Sequence, residues 1–391
     1  MVTSHASGRR SSLLSDELLA RIRSRAADYD RDNRFPVEDL HELAAAGYLA
    51  ALVPEELGGS GLSLVDAVSE QIRLAAAAPA TALSVNMHLI WTGVAKTLRE
   101  RGDSSLDYVL TEAAAGEIFA FGISEPGNDL VLFDSMTDAV RQPDGGYAFT
   151  GTKIFTSLSP VWTRLGVFGR DEGASEPRLV HGFLDRSASG ITILDDWDTV
   201  GMRASQSNTT RLDGAVAAPD RVFGFRSPGP SADPLVFAIF ANFEILVSAV
   251  YTGIAERALE LAVQAATTRR SRRTGLTADQ NPDTRWKIAA AVISHDGLMP
   301  QLEALADDVD RVADHGDQWF RKLTGLKLRA TQNARFVVDQ AIRVSGGSSY
   351  FTSSELGRLY RDVLAGGFHP SNEDSVHAAV ASAVLGPLEE R

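Results

Sequence analysis

The chain has 391 residues, enough for two or three domains with cores of their own, and 44% of them are apolar, an ordinary globular share. Its net charge of −13 argues against general nucleic-acid binding, which needs clustered Lys and Arg to meet phosphates. With no cysteine present, disulfides, thiolate metal sites and a cysteine nucleophile are excluded.

Residues 1–15 carry Arg9-Arg10 but no apolar signal core, so they read as a frayed tail, and a cytoplasmic location is expected. Residues 16–117 read as helical. Val37, Leu40, Leu43 and Ala44 fall on one helix face, and a loop follows at Pro54-Glu55-Glu56-Leu57-Gly58-Gly59-Ser60-Gly61. Ala-rich runs at 74–86 and 109–115 allow close helix packing.

From 118 to 225 the pattern changes to short β-branched and aromatic runs between Gly, Pro and Asp turns: 118–123, 147–149, 165–168, 180–184 and 191–194. Strands this short and this frequent predict a small barrel or sandwich. Ser227-Pro228-Gly229-Pro230 reads as a linker. Helical periodicity returns in four segments, 235–269, 282–314, 316–345 and 370–385, which predicts a helical bundle. The domain boundaries expected are 1–117, 118–230 and 231–391. Between Asp233 and Glu256 the only charged side chain is Glu244, and Asn242, Ser248, Thr252 and Gly253 interrupt the run. A helix buried in the protein, and no membrane span, is the expectation.

Two segments carry the chemistry. Phe121-Gly122-Ile123-Ser124-Glu125-Pro126-Gly127 and Gly151-Thr152-Lys153-Ile154-Phe155-Thr156-Ser157 are hydroxyl-bearing, strand-like and about thirty residues apart. Together with the helical, β, helical order they resemble the acyl-CoA dehydrogenase family, in which these segments read Thr-Glu-Pro-Gly and Lys-x-Trp-Ile-Thr. The resemblance covers nearly the whole chain. It implies a mainly α fold: an N-terminal helical domain, a middle β-barrel and a C-terminal four-helix bundle. It also implies FAD, with FMN as the alternative. Ser124 and Ser157 stand where the family places flavin-bonding hydroxyls, Phe155 stands for the aromatic that packs on the rings, and Phe121 and Ile123 belong to the same wall.

The resemblance further implies a half-site given to a neighbouring subunit. Gly346-Gly347 matches the family's Gly-Gly loop, and Arg270 and Arg272 offer charge to a diphosphate, although the family's Phe is missing and Pro282 replaces its Gln. A homotetramer, or at least a homodimer, follows. The segment after Pro126-Gly127 reads Asn128-Asp129-Leu130-Val131 and departs from the family's Gly-Ser-Asp, so substrate contacts are expected to differ there.

The usual catalytic Glu is absent. Counting on from Arg361-Asp362 gives Phe368-His369-Pro370-Ser371-Asn372, with Pro370 at the position of the acid. Proline lacks the carboxylate and the backbone N–H that would hold a thioester enolate. Asn372 is assigned to the flavin side. Glu244 resembles the alternative base of isovaleryl-CoA dehydrogenases, with Ile245 in place of their Arg. Burial there would raise its pKa, as suits a base. His369, followed by Asn372 and His377, resembles flavin monooxygenases of the same fold, in which a His assists a flavin hydroperoxide. No spacing reads as a metal site.

Three readings follow. One is α,β-dehydrogenation of an acyl thioester, on CoA or a carrier protein, with Glu244 as base and an electron acceptor as partner. The second is a monooxygenase acting on N, S or aromatic carbon, supplied by a flavin reductase. The third is a non-catalytic relative.

Overall fold

The computed structural model describes residues 12–386 and 388. Helix α1 (Asp16–Arg31) starts where the Ser15 side chain accepts the Leu18 N–H. Leu14 is fully buried, and the Ser12 hydroxyl donates to Glu70 at 2.7 Å. Residues 12–15 are therefore packed rather than frayed, and the rest of the expected tail lies outside the described residues.

In α2 (Val37–Ala45) Leu40 and Leu43 are buried as expected, but Val37 and Ala44 face solvent. Asp39 takes the buried place, receiving Arg25 Nε at 2.7 Å and the Thr81 hydroxyl at 3.0 Å. The Ala-rich run at 74–86 is two helices, α3 (Leu64–Ala77) and α4 (Pro79–Glu100), because Pro79 has no N–H to continue a helix and is well suited to begin one. Helix α5 (Asp107–Ala114) closes the N-terminal group.

Eight strands follow: β1 (Phe119–Gly122), β2 (Asp138–Arg141), β3 (Tyr147–Lys153), β4 (Arg164–Asp171), β5 (Arg178–Asp185), β6 (Ile191–Ile193), β7 (Thr210–Ala217) and β8 (Val222–Arg226). They form one sheet in the order β6-β7-β3-β2-β4-β5-β8, with β1 added on β4. One edge of β4 is shared: β1 pairs in parallel along Arg164 to Val167, and β2 takes over at Arg170. In the gap between them the chain leaves the sheet, and this is where Ser124 and Glu125 sit.

The expected long helix at 235–269 is α6 (Pro234–Thr268). It is the one helix among the described residues long and apolar enough to cross a membrane, yet 89% of its most apolar stretch is buried in the protein. The expected 282–314 segment is two helices, α7 (Pro282–Asp296) and α8 (Met299–Asp310). Pro300 forces the break, since its ring would clash with the carbonyl four residues back in a continuous helix. Helix α9 (Gln318–Ser345) packs along α6. A short helix, α10 (Glu355–Asp362), was not anticipated from the sequence, and α11 (Glu373–Leu385) begins three residues later than expected.

The gap at β4 is closed by charge. Glu125 is buried and receives Lys153 Nζ at 2.6 Å, Thr137 Oγ1 at 2.6 Å, Ser135 Oγ at 2.8 Å, and the Met136 and Thr137 N–H groups at 2.8 and 3.0 Å. Burial alone would raise its pKa, but Lys153 and these donors hold it at about 2. Lys153 also donates to the Phe168 carbonyl at 2.8 Å and lies over the Phe168 ring. The loop after β1 and the end of β3 are thus pinned to β4 by one ion pair. Lys153→Met should destabilise the protein by about 3–5 kcal/mol, because it strands a buried carboxylate, whereas Lys153→Met combined with Glu125→Gln should cost clearly less. Urea melts of the two variants check the ordering.

Candidate active site

A cleft with about 710 Å³ of open space lies between the β-sheet and the bundle. Its walls are Phe121 and Ile123 from the β1 segment, Leu130 to Phe133 from the departing loop, Ile239, Phe240 and Phe243 from α6, Phe320 from α9, Pro370 and Ser371 from the loop before α11, and Val376 from its first turn. Phe121 stacks on Phe243 with ring centroids 5.9 Å apart, joining sheet to bundle. The segment at 128–131 that departs from the expected pattern is therefore cleft wall, and Val131 adopts a left-handed φ of +45° there.

Glu244 is the polar floor. Its residue surface is fully buried, and Ser371 donates its hydroxyl to Oε1. Oε2 has no protein partner. Burial raises the Glu244 carboxyl to about 8, with the Ser371 bond and the positive field of Lys327 acting in the opposite sense. Lys327, on α9, spends its three N–H groups on the carbonyls of Gly366, His369 and Ser371 at 3.1, 3.1 and 3.2 Å. Three acceptors match an ammonium rather than a neutral amine. This cation ties the 366–371 loop to α9 and so presents Pro370 and Ser371 to the cleft. Ser371 holds a left-handed φ of +57°, a strained conformation for a non-glycine residue. The strain is matched by two bonds, from its hydroxyl to Glu244 and from Lys327 to its carbonyl.

His369 is placed differently from Glu244. Its Nε2 pairs with the Tyr251 hydroxyl at 2.7 Å, and burial, with Lys327 nearby, lowers its pKa to about 3. Neutral and tied to Tyr251, it does not line the cleft. His377 stands on α11, but His369 precedes the helix, so the two do not share a helix face.

The expected flavin residues form two groups. The Ile154 N–H donates to the Ser124 carbonyl at 2.9 Å, so the two hydroxyl-bearing segments lie side by side next to Phe121 and Ile123. Phe155 is 51% exposed at a φ of +57° and meets Trp197 edge-on, with centroids 6.1 Å apart. Ser157 is buried and shares a hydrogen bond with the Ser207 hydroxyl at 2.8 Å. An exposed aromatic face and a pair of hydroxyl-bearing turns fit a flat ring system. Asn372, exposed, caps α11 by accepting the Ser375 N–H.

The second group is remote. Gly346 has a φ of +73°, which favours glycine, and a side chain there would meet Arg269. Arg269, not Arg270 or Arg272, reaches this loop, donating to the Ser345 carbonyl at 3.0 Å. Arg270 and Arg272 are exposed. From Glu244 to Arg269 is 25 residues, which at about 1.5 Å per residue is roughly 37 Å along α6. The Gly-Gly loop therefore does not join the cleft of its own chain.

Residues 15–105 match the family model of the acyl-CoA dehydrogenase N-terminal domain, and residues 245–373 match an acyl-CoA dehydrogenase C-terminal domain. The chain belongs to the acyl-CoA dehydrogenase family. Within this fold it is 31% identical to the amino sugar nitrososynthase DnmZ of Streptomyces peucetius, over 93% of this chain and 90% of that protein. It is 27% identical to a dibenzothiophene monooxygenase of Rhodococcus qingshengii, over 90% and 88%. The solved structure of KijD3 in complex with FMN and dTDP-3-amino-2,3,6-trideoxy-4-keto-3-methyl-D-glucose superimposes with a TM-score of 0.85 at 28% identity, covering 99% of this chain and 97% of that one. The chain is thus a flavin-dependent enzyme of the acyl-CoA dehydrogenase fold, and its relatives include nitrososynthases and monooxygenases.

Sequence reading missed Lys327 and Ser371. Lys327 had a signal: it occupies the buried face of α9 in register with Leu323, Leu326, Ala330 and Thr331. A lone lysine in an apolar row needs acceptors. Ser371 had none, since its role depends on a loop brought to α6 by tertiary packing.

Because the folded state holds the Glu244 proton from the ordinary 4.5 up to about 8, its contribution to stability is complete below pH 4.5 and lost as pH rises through 8. Glu244→Gln mimics the protonated form. Its melting temperature relative to wild type should therefore rise with pH between 5 and 8.5, and thermal melts across that range check the sign.

Proposed function

We propose that the protein is a flavin-dependent monooxygenase that oxidises nitrogen. Pro370 in the cleft wall carries this reading: that position offers neither a carboxylate for α-proton abstraction nor an N–H for an enolate. The 31% identity to an amino sugar nitrososynthase over nearly the whole chain supports nitrogen as the target.

Phe121, Ile123, Ser124, Phe155 and Ser157 would hold the flavin, which supplies two electrons to O2 when bound and reduced. The apolar walls exclude water from the reaction. The Glu244 carboxylate takes a proton from a substrate ammonium, leaving the nitrogen lone pair free to be oxidised. Ser371 holds the carboxylate in place while it does so. Overall, R–NH2, O2, two electrons and two protons give R–NH–OH and water. A flavin reductase is the natural electron source. With reduced flavin, 18O2 and an amine substrate, one 18O atom should enter the product, as read by mass spectrometry. Anaerobic bleaching of the flavin by an acyl thioester, with an enoyl product, would overturn this assignment.

The second reading, acyl thioester dehydrogenation, is favoured by Glu244 itself, a buried carboxyl of raised pKa at the floor of the cleft.

A second copy of the chain completes the flavin site in this proposal. The Arg269 and Gly346-Gly347 cluster is too far from its own cleft to serve it. Sedimentation of the flavin-loaded protein should give a dimer or tetramer, and a monomer that keeps its flavin would refute the shared site.

A further inference from the structure

We infer that the cleft takes an apolar amine, aryl or alkyl, rather than a nucleotide-bound or CoA-bound substrate, and that Glu244 Oε2 accepts its N–H. The inference rests on the nitrogen-oxidising reading and narrows its substrate. Three observations carry it.

Charge is the first. The cleft lining contains two carboxylates, Glu244 at the floor and Asp129 near the solvent side, and no lysine or arginine. A diphosphate needs Arg, Lys or a cluster of backbone N–H groups. This lining gives a dianion no cationic side chain to meet, whereas an ammonium meets Asp129 and favours the ionised form of Glu244 as it enters. The nearest buried cation, Lys327, has all three N–H groups engaged by carbonyls and none to give a phosphate.

The second is the unpaired oxygen. A fully buried carboxylate atom with no hydrogen-bond partner is costly to keep, and such an atom at a cleft floor marks the place of a donor from a ligand. A protonated amine supplies that donor and the opposite charge together.

The third is the shape of the remaining wall. Phe240, Phe243, Phe320, Ile239 and Leu132 present hydrocarbon with few polar groups to meet hydroxyls. A bare sugar ring would leave its hydroxyls unpaired there, whereas an aryl or alkyl body would not.

Calorimetric titration of the flavin-loaded protein with three probes tests this: 2-phenylethylamine, its anionic counterpart 3-phenylpropionate, and dTDP. The amine should bind at least tenfold more tightly than the carboxylate, and dTDP should bind weakest. At pH 8.5, where Glu244 is largely ionised, Glu244→Gln should lower amine affinity roughly 10- to 100-fold, the loss of one charge-assisted hydrogen bond, with flavin content unchanged. Asp129→Asn should have a smaller effect. Binding of dTDP tighter than the amine, or unchanged amine affinity in Glu244→Gln, would overturn the inference. The probe series on the unaltered protein decides the point even if the variant folds poorly. An amine that binds as expected but acquires no 18O supports the substrate class and sinks the nitrogen-oxidising reading, so the two failures are distinguishable.

Discussion

The buried Glu125–Lys153 pair is the constraint on which the site depends. Strand β4 changes partner from β1 to β2 along one edge, and a sheet interrupted in that way leaves backbone groups and a loop without ladder bonds. Glu125 fills the interruption, gathering hydroxyls, backbone N–H groups and an ammonium on one carboxylate. The pair is expensive to desolvate, and it is retained where it fixes register: Ser124 precedes one partner and Ile154-Phe155 follow the other. The open face of Phe155 and the two hydroxyl-bearing turns are therefore set by electrostatics in the sheet, not by any ligand.

A second buried carboxylate makes the contrast plain. Glu125 and Glu244 are both withdrawn from water and both lie in the field of a lysine. One is held at about 2 and the other is raised to about 8. The difference is a lysine in direct contact, together with the number of donors. Glu125 has a donor for each oxygen and a lysine in contact, so it is permanently ionised and structural. Glu244 has one hydroxyl on one oxygen, and its lysine is committed to carbonyls. A carboxyl left half-satisfied near neutrality is equipped to exchange a proton, which is what separates a working group from a fastener.

Much of this was legible in the sequence where the signal was local. The strand runs between turns, the apolar stretch with one Glu, and the two hydroxyl-bearing segments each depend on near neighbours, and the structure has β1, β3, α6 and a buried Glu244 where they were expected. The errors have a common cause. At Pro300 the periodicity continued while the backbone could not, so one continuous segment was expected where two helices meet. Asp39 replaced Val37 on a buried face because Arg25 and Thr81, distant in sequence, compensate its charge. Lys327 and Ser371 owe their roles to a loop and two helices that meet only after folding. His369 was read from its place in a motif, but its ring is committed to Tyr251, a partner 118 residues away.

Position 370 shows how one substitution redistributes chemistry. A proline there removes a carboxylate and an N–H from the cleft wall, and it biases the residue before it toward extended backbone. The chain then turns back through a left-handed Ser371. That turn would be unfavourable alone; it persists because Lys327 gathers the carbonyls on either side of Pro370 and Glu244 receives the Ser371 hydroxyl. The carboxyl nearest this loop is thus Glu244 on the helix beneath it, and the loop orients that carboxyl through Ser371. A cleft so arranged keeps a buried carboxyl but offers a thioester carbonyl no N–H from position 370. What remains, an orienting hydroxyl, a carboxyl near neutrality and hydrocarbon walls, is suited to holding and deprotonating a cation.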